Sequence, residues 1–184
     1  HFSSNKAIRT VKDFAGLKIR ALGPANAKPV EAAGGTASAI PFNELYTSLK
    51  TGVVDAQDNS VSVFRLVKLY EVQKFLTLSA HSYSFGPMGM NDAFYAKLSP
   101  AHKKAVDDAA RKAIAYNRET SRKIEGEALA FVKQNGVTVL ELSAAAKAEM
   151  RAKMQPAVKE WLLTQVSSPK VLEEALAAVE AASK

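Results

Sequence analysis

Short apolar segments alternate with helix-forming segments between residues 17 and 59, and this alternation constrains the fold more than any other feature. The predicted strands cover residues 17–22, 36–41 and 53–57, and the predicted helices cover residues 25–33 and 43–50. Glycine and proline residues separate these segments. Strands that alternate with helices at such spacings predict a parallel sheet with crossover helices, and therefore an α/β fold.

Three side chains suited to binding lie at or just after the ends of these predicted strands: Arg20, Phe42 and Asn59. In an α/β sheet, ligands bind beyond the carboxyl ends of the strands. A guanidinium fork, an aromatic wall and an amide can hold a small organic carboxylate without any nucleophile or general base. The pattern favours a binding protein. Structural roles stay open: Arg20 as a surface side chain, Phe42 as a core ring, and Asn59 as a helix cap.

A very long helix is predicted after the Ser-Pro pair at residues 99–100, because no stop signal occurs before the Asn-Gly pair at 135–136. About 35 helical residues would span about 50 Å, which exceeds the width of one small lobe. We therefore predict that this helix bridges two lobes, with Gly126 as the expected bend. The preceding segment 84–91 contains two glycines and a proline and is predicted to be a bent or edge strand.

Composition narrows the class of function. The chain has 184 residues, of which 47% are hydrophobic and 23% charged, as expected for a globular protein. The net charge of +7 would suit a basic nucleic-acid-binding domain. However, the lysines are scattered at solvent-face helical spacing, and no aromatic–basic cluster accompanies them. This function is therefore kept only as an alternative.

Catalytic and metal-site patterns are missing from the sequence. The chain has no cysteine, which excludes disulfides and thiolate chemistry. His1, His81 and His102 show no metal-ligand spacing, and His81 is predicted to be a hydrogen-bonding residue at a hinge. No nucleophile motif or phosphate loop is present. We predict a protein that is not an enzyme and needs no cofactor, with a hydrolase of small carboxylates or another α/β enzyme as the alternative.

Three stretches of the sequence resemble the substrate-binding proteins of tripartite ATP-independent periplasmic (TRAP) transporters, the DctP-type family. They are DFAGLKIR at 13–20, PFNELYTSLKTGVVD at 41–55 and KLYEVQKFL at 68–76. The resemblance covers essentially the whole chain. It implies a two-lobed clamshell of the type II-like periplasmic-binding-protein kind, a periplasmic location, and delivery of a captured organic acid to the membrane subunits of a TRAP transporter.

The resemblance also implies that the chain is the C-terminal portion of such a protein and lacks the first part of lobe I. Residues 1–83 and 126–184 would form mainly lobe II. Residues 84–125 would be the remnant of lobe I, with a hinge strand and the start of the long helix. If the molecule itself lacks the first part, we expect an incomplete pocket with weak or absent binding, or a dimer or domain-swapped assembly.

The resemblance implies roles for individual residues. Arg20 would pair with the ligand carboxylate, Phe42 would pack on the ligand body, and Asn59 would hydrogen-bond the ligand's polar end. Asp58 occupies the position at which some subgroups hold a cation that bridges to the carboxylate. Two aromatic residues at the crossing between lobes are candidates for the pocket lining or for hinge packing: Tyr83 and Phe85. Dicarboxylates, hydroxy acids, keto acids, sialic-type sugar acids and aromatic acids all remain possible ligands.

Overall fold

The computed structural model describes residues 1–84 and 86–182. Within these residues, a six-stranded mixed sheet forms the centre of the fold, in the order β3-β2-β4-β1-β5-β6. The strands are β1 (Phe2–Ser4), β2 (Lys18–Ala21), β3 (Thr36–Ala39), β4 (Ala56–Asp58), β5 (Phe75–Leu78) and β6 (Thr138–Glu141). β1 runs antiparallel to both of its neighbours, and the other neighbouring strands pair in parallel.

Helices connect the strands and cover both faces of the sheet. They are α1 (Pro24–Ala32), α2 (Leu45–Lys50), α3 (Val61–Leu66), α4 (Asp92–Ala96), α5 (Pro100–Gln134), α6 (Ala144–Leu163) and α7 (Pro169–Ala182). Short 3-10 turns occur at Val11–Phe14, Phe42–Glu44 and Leu69–Glu71.

The predicted α/β fold is confirmed, because β2, β3 and β4 are parallel and α1 and α2 connect them. The ends of these five elements differ from the predicted ends by at most three residues.

β1 was not predicted from the sequence. It is only three residues long, and two of these are serines, so it lacks the apolar alternation that marks a strand. It forms because it completes the hydrogen bonding of β4 on one side and β5 on the other. This insertion makes the sheet mixed, whereas the sequence pattern predicted a parallel sheet.

Two apolar clusters hold the layers together, one on each face of the sheet. The first joins Phe2 and Ile19 of the sheet to Val30 of α1 and Met150 of α6. The second cluster lies on the opposite face, under α2, α3 and the end of α5; its members include Leu45, Phe64, Leu76 and Val132.

The strand register shows which polar residues point toward the second cluster, because residues paired on neighbouring strands lie on the same face of the sheet. Arg20 is opposite Gln57, Gln57 is opposite Ser3, and Ser3 is opposite Leu76, so these polar residues lie on the face of the second cluster.

The 35-residue helix α5 confirms the predicted long helix. Ser99 caps it by accepting a hydrogen bond from the backbone nitrogen of His102 at 3.3 Å, and the helix continues without interruption through Gly126. Its fully buried residues, Ala128 and Val132, both lie near its C-terminal end. Most of α5 therefore extends beyond the two core clusters. Among the described helices, none is long and apolar enough to cross a membrane.

The prediction of a bent or edge strand at 84–91 is wrong for the residues described there, 84 and 86–91. They form no strand, and they are exposed. Gly86 and Gly89 weaken an extended ladder, and Pro87 cannot donate a backbone hydrogen bond. Without a neighbouring strand to supply the missing pairing, these residues run as an irregular connection between β5 and α4.

Candidate ligand-binding site

The carboxyl ends of β2, β3, β4 and β5 meet at one edge of the sheet, since β4 and β5 both run antiparallel to β1. Five residues at or just after these ends define what we call the carboxyl edge: Arg20, Phe42, Asp58, Asn59 and His81. The parallel topology therefore brings together side chains that are up to 61 positions apart in the sequence (81 − 20).

Arg20 is buried under the carboxyl edge, with only 3% of its surface exposed. Its Nε donates a hydrogen bond of 3.0 Å to the backbone oxygen of Ile40. Its Nη2 is buried and finds no hydrogen-bond partner within the described part of the chain. Burial lowers the pKa of Arg20, while the nearby carboxylate of Asp58 acts in the opposite direction. A buried guanidinium with an unpaired donor favours an added anionic acceptor, because an unmade hydrogen bond to a buried charge is costly.

Phe42 lies in the 3-10 turn that follows β3, and 46% of its surface is exposed. The guanidinium carbon of Arg20 is 5.9 Å from the centre of its ring. Phe42 is therefore an exposed ring beside the guanidinium and does not belong to either core cluster. This arrangement fits a wall against which the body of a ligand could pack.

Asn59 follows β4 and does not cap the next helix. Ser60 caps α3, because its Oγ accepts a hydrogen bond of 3.2 Å from the backbone nitrogen of Val63. The side-chain Nδ2 of Asn59 instead donates to Oε1 of Gln57 at 2.6 Å. The structure thus leaves the Asn59 amide at the carboxyl edge, on the same side of the sheet as Arg20.

Asp58 is paired with His81, a contact that the sequence did not predict. His81 Nε2 lies 3.4 Å from Asp58 Oδ2, and its Nδ1 lies 2.7 Å from the hydroxyl oxygen of Ser79. The imidazole also stacks on the ring of Phe2, with ring centres 3.9 Å apart. His81 is thus a hydrogen-bonding residue, as predicted. Its role at the site could not be found without knowing that β1 lies between β4 and β5.

The pKa values of this pair are both displaced. Burial of His81 lowers its pKa from the ordinary 6.5, although the hydrogen bond to Asp58 acts in the opposite direction. Burial alone would raise the pKa of Asp58, but the hydrogen bond and the charge of His81 bring it below its ordinary 3.8.

Across residues 1–84 and 86–182, no group of three or more His, Asp or Glu side chains is arranged to hold a metal ion. The structure thus places Asp58 in a hydrogen bond with His81.

The lowered pKa of His81 predicts a loss of stability in mild acid. The unfolded chain takes up the His81 proton more readily than the folded chain, so the free energy of unfolding should fall as the pH decreases from 7 through 6.5. A second decrease is expected below pH 3.8, where Asp58 is protonated more readily in the unfolded state. Urea unfolding at a series of pH values measures both steps. In His81→Gln the first step should shrink, and an unchanged step would contradict the assignment.

Two predicted site residues remain, of which the structure describes only Tyr83. Tyr83 is 87% exposed and makes no hydrogen bond or ring contact with any residue that the structure describes. Phe85 lies outside the described residues. Neither Arg20 nor Asp58 lines the two surface concavities of about 380 and 290 Å³. The first is next to Tyr70 and Lys74, and the second lies between α1 and the ends of β2 and β3.

The fold and the carboxyl edge define a class: an α/β lobe whose parallel strands end at one polar edge, with a long helix that extends beyond its core. Comparison with known proteins gives the family. Residues 1–165 match the family described as bacterial extracellular solute-binding protein, family 7 (DctP). The chain belongs to this family. The DctP-type resemblance expected from the three sequence stretches is confirmed.

Relatives and solved structures agree with this family. The chain is 34% identical over 139 residues to the 2,3-diketo-L-gulonate-binding periplasmic protein YiaO of Escherichia coli, covering 75% of this chain and 42% of YiaO. It is 29% identical over 163 residues to the sialic acid-binding periplasmic protein SiaP of Vibrio cholerae, covering 86% and 49%. A TRAP periplasmic solute-binding protein from Desulfovibrio salexigens with bound orotic acid superposes with a TM-score of 0.82 at 31% identity, covering 95% and 57%.

The chain spans about half the length of the curated relatives it matches. This agrees with the predicted correspondence to a portion of a two-lobed protein. The family consists of extracellular solute-binding proteins, so the predicted periplasmic location and the prediction that the protein is not an enzyme are both confirmed. The alternatives of a hydrolase and of a nucleic-acid-binding domain find no support in this family.

Proposed function

We propose that the complete protein captures a small organic carboxylate at the carboxyl edge and that Arg20 pairs with it. One observation carries this proposal: Arg20 is almost fully buried, yet its Nη2 has no acceptor among the described residues. An incoming carboxylate would supply the missing acceptor and a counter-charge. Phe42 would contact the ligand body, and Asn59 would hydrogen-bond a polar group of the ligand.

The lobes are proposed to divide as the family resemblance implies. Residues 1–83 and 126–184 would form mainly lobe II, and residues 84–125 would belong to lobe I. The positions of the two core clusters support this division, since their described members all lie in the first two ranges. Capture would proceed by closure, because a ligand favours the conformation in which both lobes contact it. The second wall of the pocket would come from lobe I.

Delivery of the captured solute to the membrane subunits of a TRAP transporter is also part of the proposal. The ligands named for the similar proteins support an organic acid: 2,3-diketo-L-gulonate, sialic acid and orotic acid all carry a carboxylate. The arrangement of Arg20 beside an exposed ring suits this common group and does not distinguish among the acids. An assembly in which two copies of the chain complete each other's pocket stays a prediction.

A thermal-shift screen of the complete protein tests the function. The panel should contain succinate, orotate, sialic acid, diketogulonate and an uncharged sugar of similar size. At 100 times its Kd a ligand stabilises the folded state by about 2.7 kcal/mol, which should raise Tm by about 4 °C in a protein as long as the relatives. Recovery of the acid unchanged is expected. Conversion of the acid to another compound, or a Tm that no carboxylate raises, would overturn the proposal.

A further inference from the structure

A chain of buried polar side chains crosses the sheet beneath the carboxyl edge. Asn59 Nδ2 donates to Gln57 Oε1 at 2.6 Å, and Gln57 Nε2 donates to Ser3 Oγ at 2.7 Å. Ser3 Oγ in turn donates to Gln73 Oε1 at 3.2 Å. Ser3, Gln57 and Gln73 are each no more than 2% exposed. We call Ser3, Gln57, Gln73 and Asn59 the polar relay.

The far end of the polar relay fixes the direction of every hydrogen bond in it. Gln73 Nε2 donates to the backbone oxygens of Asp55 and Val72, each at 3.3 Å. A carbonyl oxygen can only accept, so the nitrogen of this amide must face the two carbonyls and its oxygen must face the hydroxyl of Ser3. The Ser3 hydroxyl is therefore the donor to Gln73.

The same reasoning continues toward the carboxyl edge. Since the proton of Ser3 is used toward Gln73, its oxygen accepts from the nitrogen of Gln57. The oxygen of Gln57 must then face Asn59, and only the nitrogen of Asn59 can donate to it. Two backbone carbonyls thus determine, through three side chains, which way round the Asn59 amide lies.

The orientation matters because Asn59 and Arg20 lie on the same side of the sheet. Arg20 is paired in register with Gln57, and Asn59 comes two residues after Gln57. One hydrogen of Asn59 Nδ2 is used by Gln57, and the other has no acceptor among the residues that the structure describes. A reversed amide would turn its oxygen toward Gln57 Oε1, leaving two acceptors facing each other.

We propose that Ser3, Gln57 and Gln73 are positioning residues that hold the Asn59 amide with a nitrogen-bound hydrogen available to an anionic ligand at the carboxyl edge. This inference rests on the proposed function and adds residues that the sequence did not single out for a role. The relay fixes the Asn59 amide, and together with the Arg20 guanidinium, which Ile40 holds, it gives the site two donors that suit a carboxylate or another oxyanion. Neither Ser3 nor Gln73 is expected to contact the ligand.

The test compares variants of the relay with a matched control in the complete protein. Ser3→Ala and Gln73→Leu break the relay at its middle and at its far end. The control is Thr77→Val, because Thr77 is equally buried in the neighbouring strand and its hydroxyl donates to the backbone oxygen of Ile8 at 2.9 Å, outside the relay. Calorimetry with orotate, succinate and sialic acid measures affinity, and urea unfolding measures stability.

All three variants should lose stability, but the losses of affinity should differ. Ser3→Ala and Gln73→Leu should weaken binding about tenfold, the effect of losing one hydrogen bond, whereas Thr77→Val should change it less than twofold. In an Asn59→Ala background, Ser3→Ala should have no further effect on affinity, because the amide that it orients is gone. An equal loss of affinity in both backgrounds, or no loss in either relay variant, would overturn the inference.

A measurement without ligand separates this inference from the proposed function. NMR can measure how fast the side-chain amide protons of Asn59 exchange with solvent. Exchange should be slow in the unmodified protein and in Thr77→Val, and faster in Ser3→Ala. Equal exchange in all three proteins would overturn the relay. If exchange behaves as expected but no carboxylate of the panel binds, the proposed function fails while the ordering of the amide stands.

Discussion

Replacing Arg20 by alanine in the complete protein should weaken carboxylate binding by at least about 30-fold while the protein still folds. Removing one partner of a buried charge pair costs about 2–5 kcal/mol, which corresponds to an affinity loss of roughly 30-fold to several thousandfold. The fold should persist, because the substitution gives up one hydrogen bond to Ile40 and also removes the buried Nη2 that has no partner among the described residues. Isothermal calorimetry measures the affinity, and circular dichroism checks the fold.

Two further variants sharpen this experiment. Arg20→Lys keeps the charge but loses the planar fork, so an intermediate affinity is expected. Arg65→Ala is the control: its guanidinium lies 4.6 Å from the ring centre of Phe131, a side chain packed against the second core cluster, and Arg65 is not a carboxyl-edge residue. This control should bind with unchanged affinity. If Arg20→Ala bound as tightly as the unmodified protein, the assignment of the carboxylate site would be wrong.

Phe14→Ala should cause the largest loss of stability among single substitutions considered for this fold. Phe14 is fully buried in the first core cluster and meets Phe2 edge to face, with ring centres 5.0 Å apart. Truncating a buried phenylalanine costs about 3–5 kcal/mol, because the transfer free energy is lost and a cavity remains. Urea denaturation gives the free energy of unfolding directly.

Phe42→Ala provides the comparison within the same chain. The Phe42 ring is 46% exposed, so its removal should lower the free energy of unfolding by less than about 1 kcal/mol. Its effect should appear in ligand affinity, since the ring lies beside the guanidinium of Arg20. A stability loss as large as that of Phe14→Ala would show that Phe42 is a core residue after all, the alternative that the sequence left open.

The sequence predicted those parts of the fold that depend on local order. The strand ends at residues 22 and 57 were predicted from short apolar runs, and the structure ends β2 and β4 within one residue of these positions. The long helix was predicted from a cap at Ser99 and the absence of a stop signal before residue 135, and it runs from Pro100 to Gln134. Periodicity and capping act over a few residues, so they can be seen in the sequence.

Contacts between distant segments could not be predicted in this way. β1 is recognisable as a strand only because β4 and β5 leave a gap that it fills. The contact of His81 with Asp58 and its stacking on Phe2 depend on that insertion. Conversely, the strand predicted at 84–91 has no neighbouring strand to pair with in the described structure.

Sequence alone therefore determined the alternation of strands and helices, the family, and the identity of the residues at the ends of the parallel strands. Tertiary structure decided which of those residues meet, that Arg20 is buried with a donor nitrogen unpaired among the described residues, and that the Asn59 amide hydrogen-bonds to Gln57. The physical reason is that propensities and caps are set by neighbouring residues. Burial and the direction of hydrogen bonds are set by groups that only folding brings together.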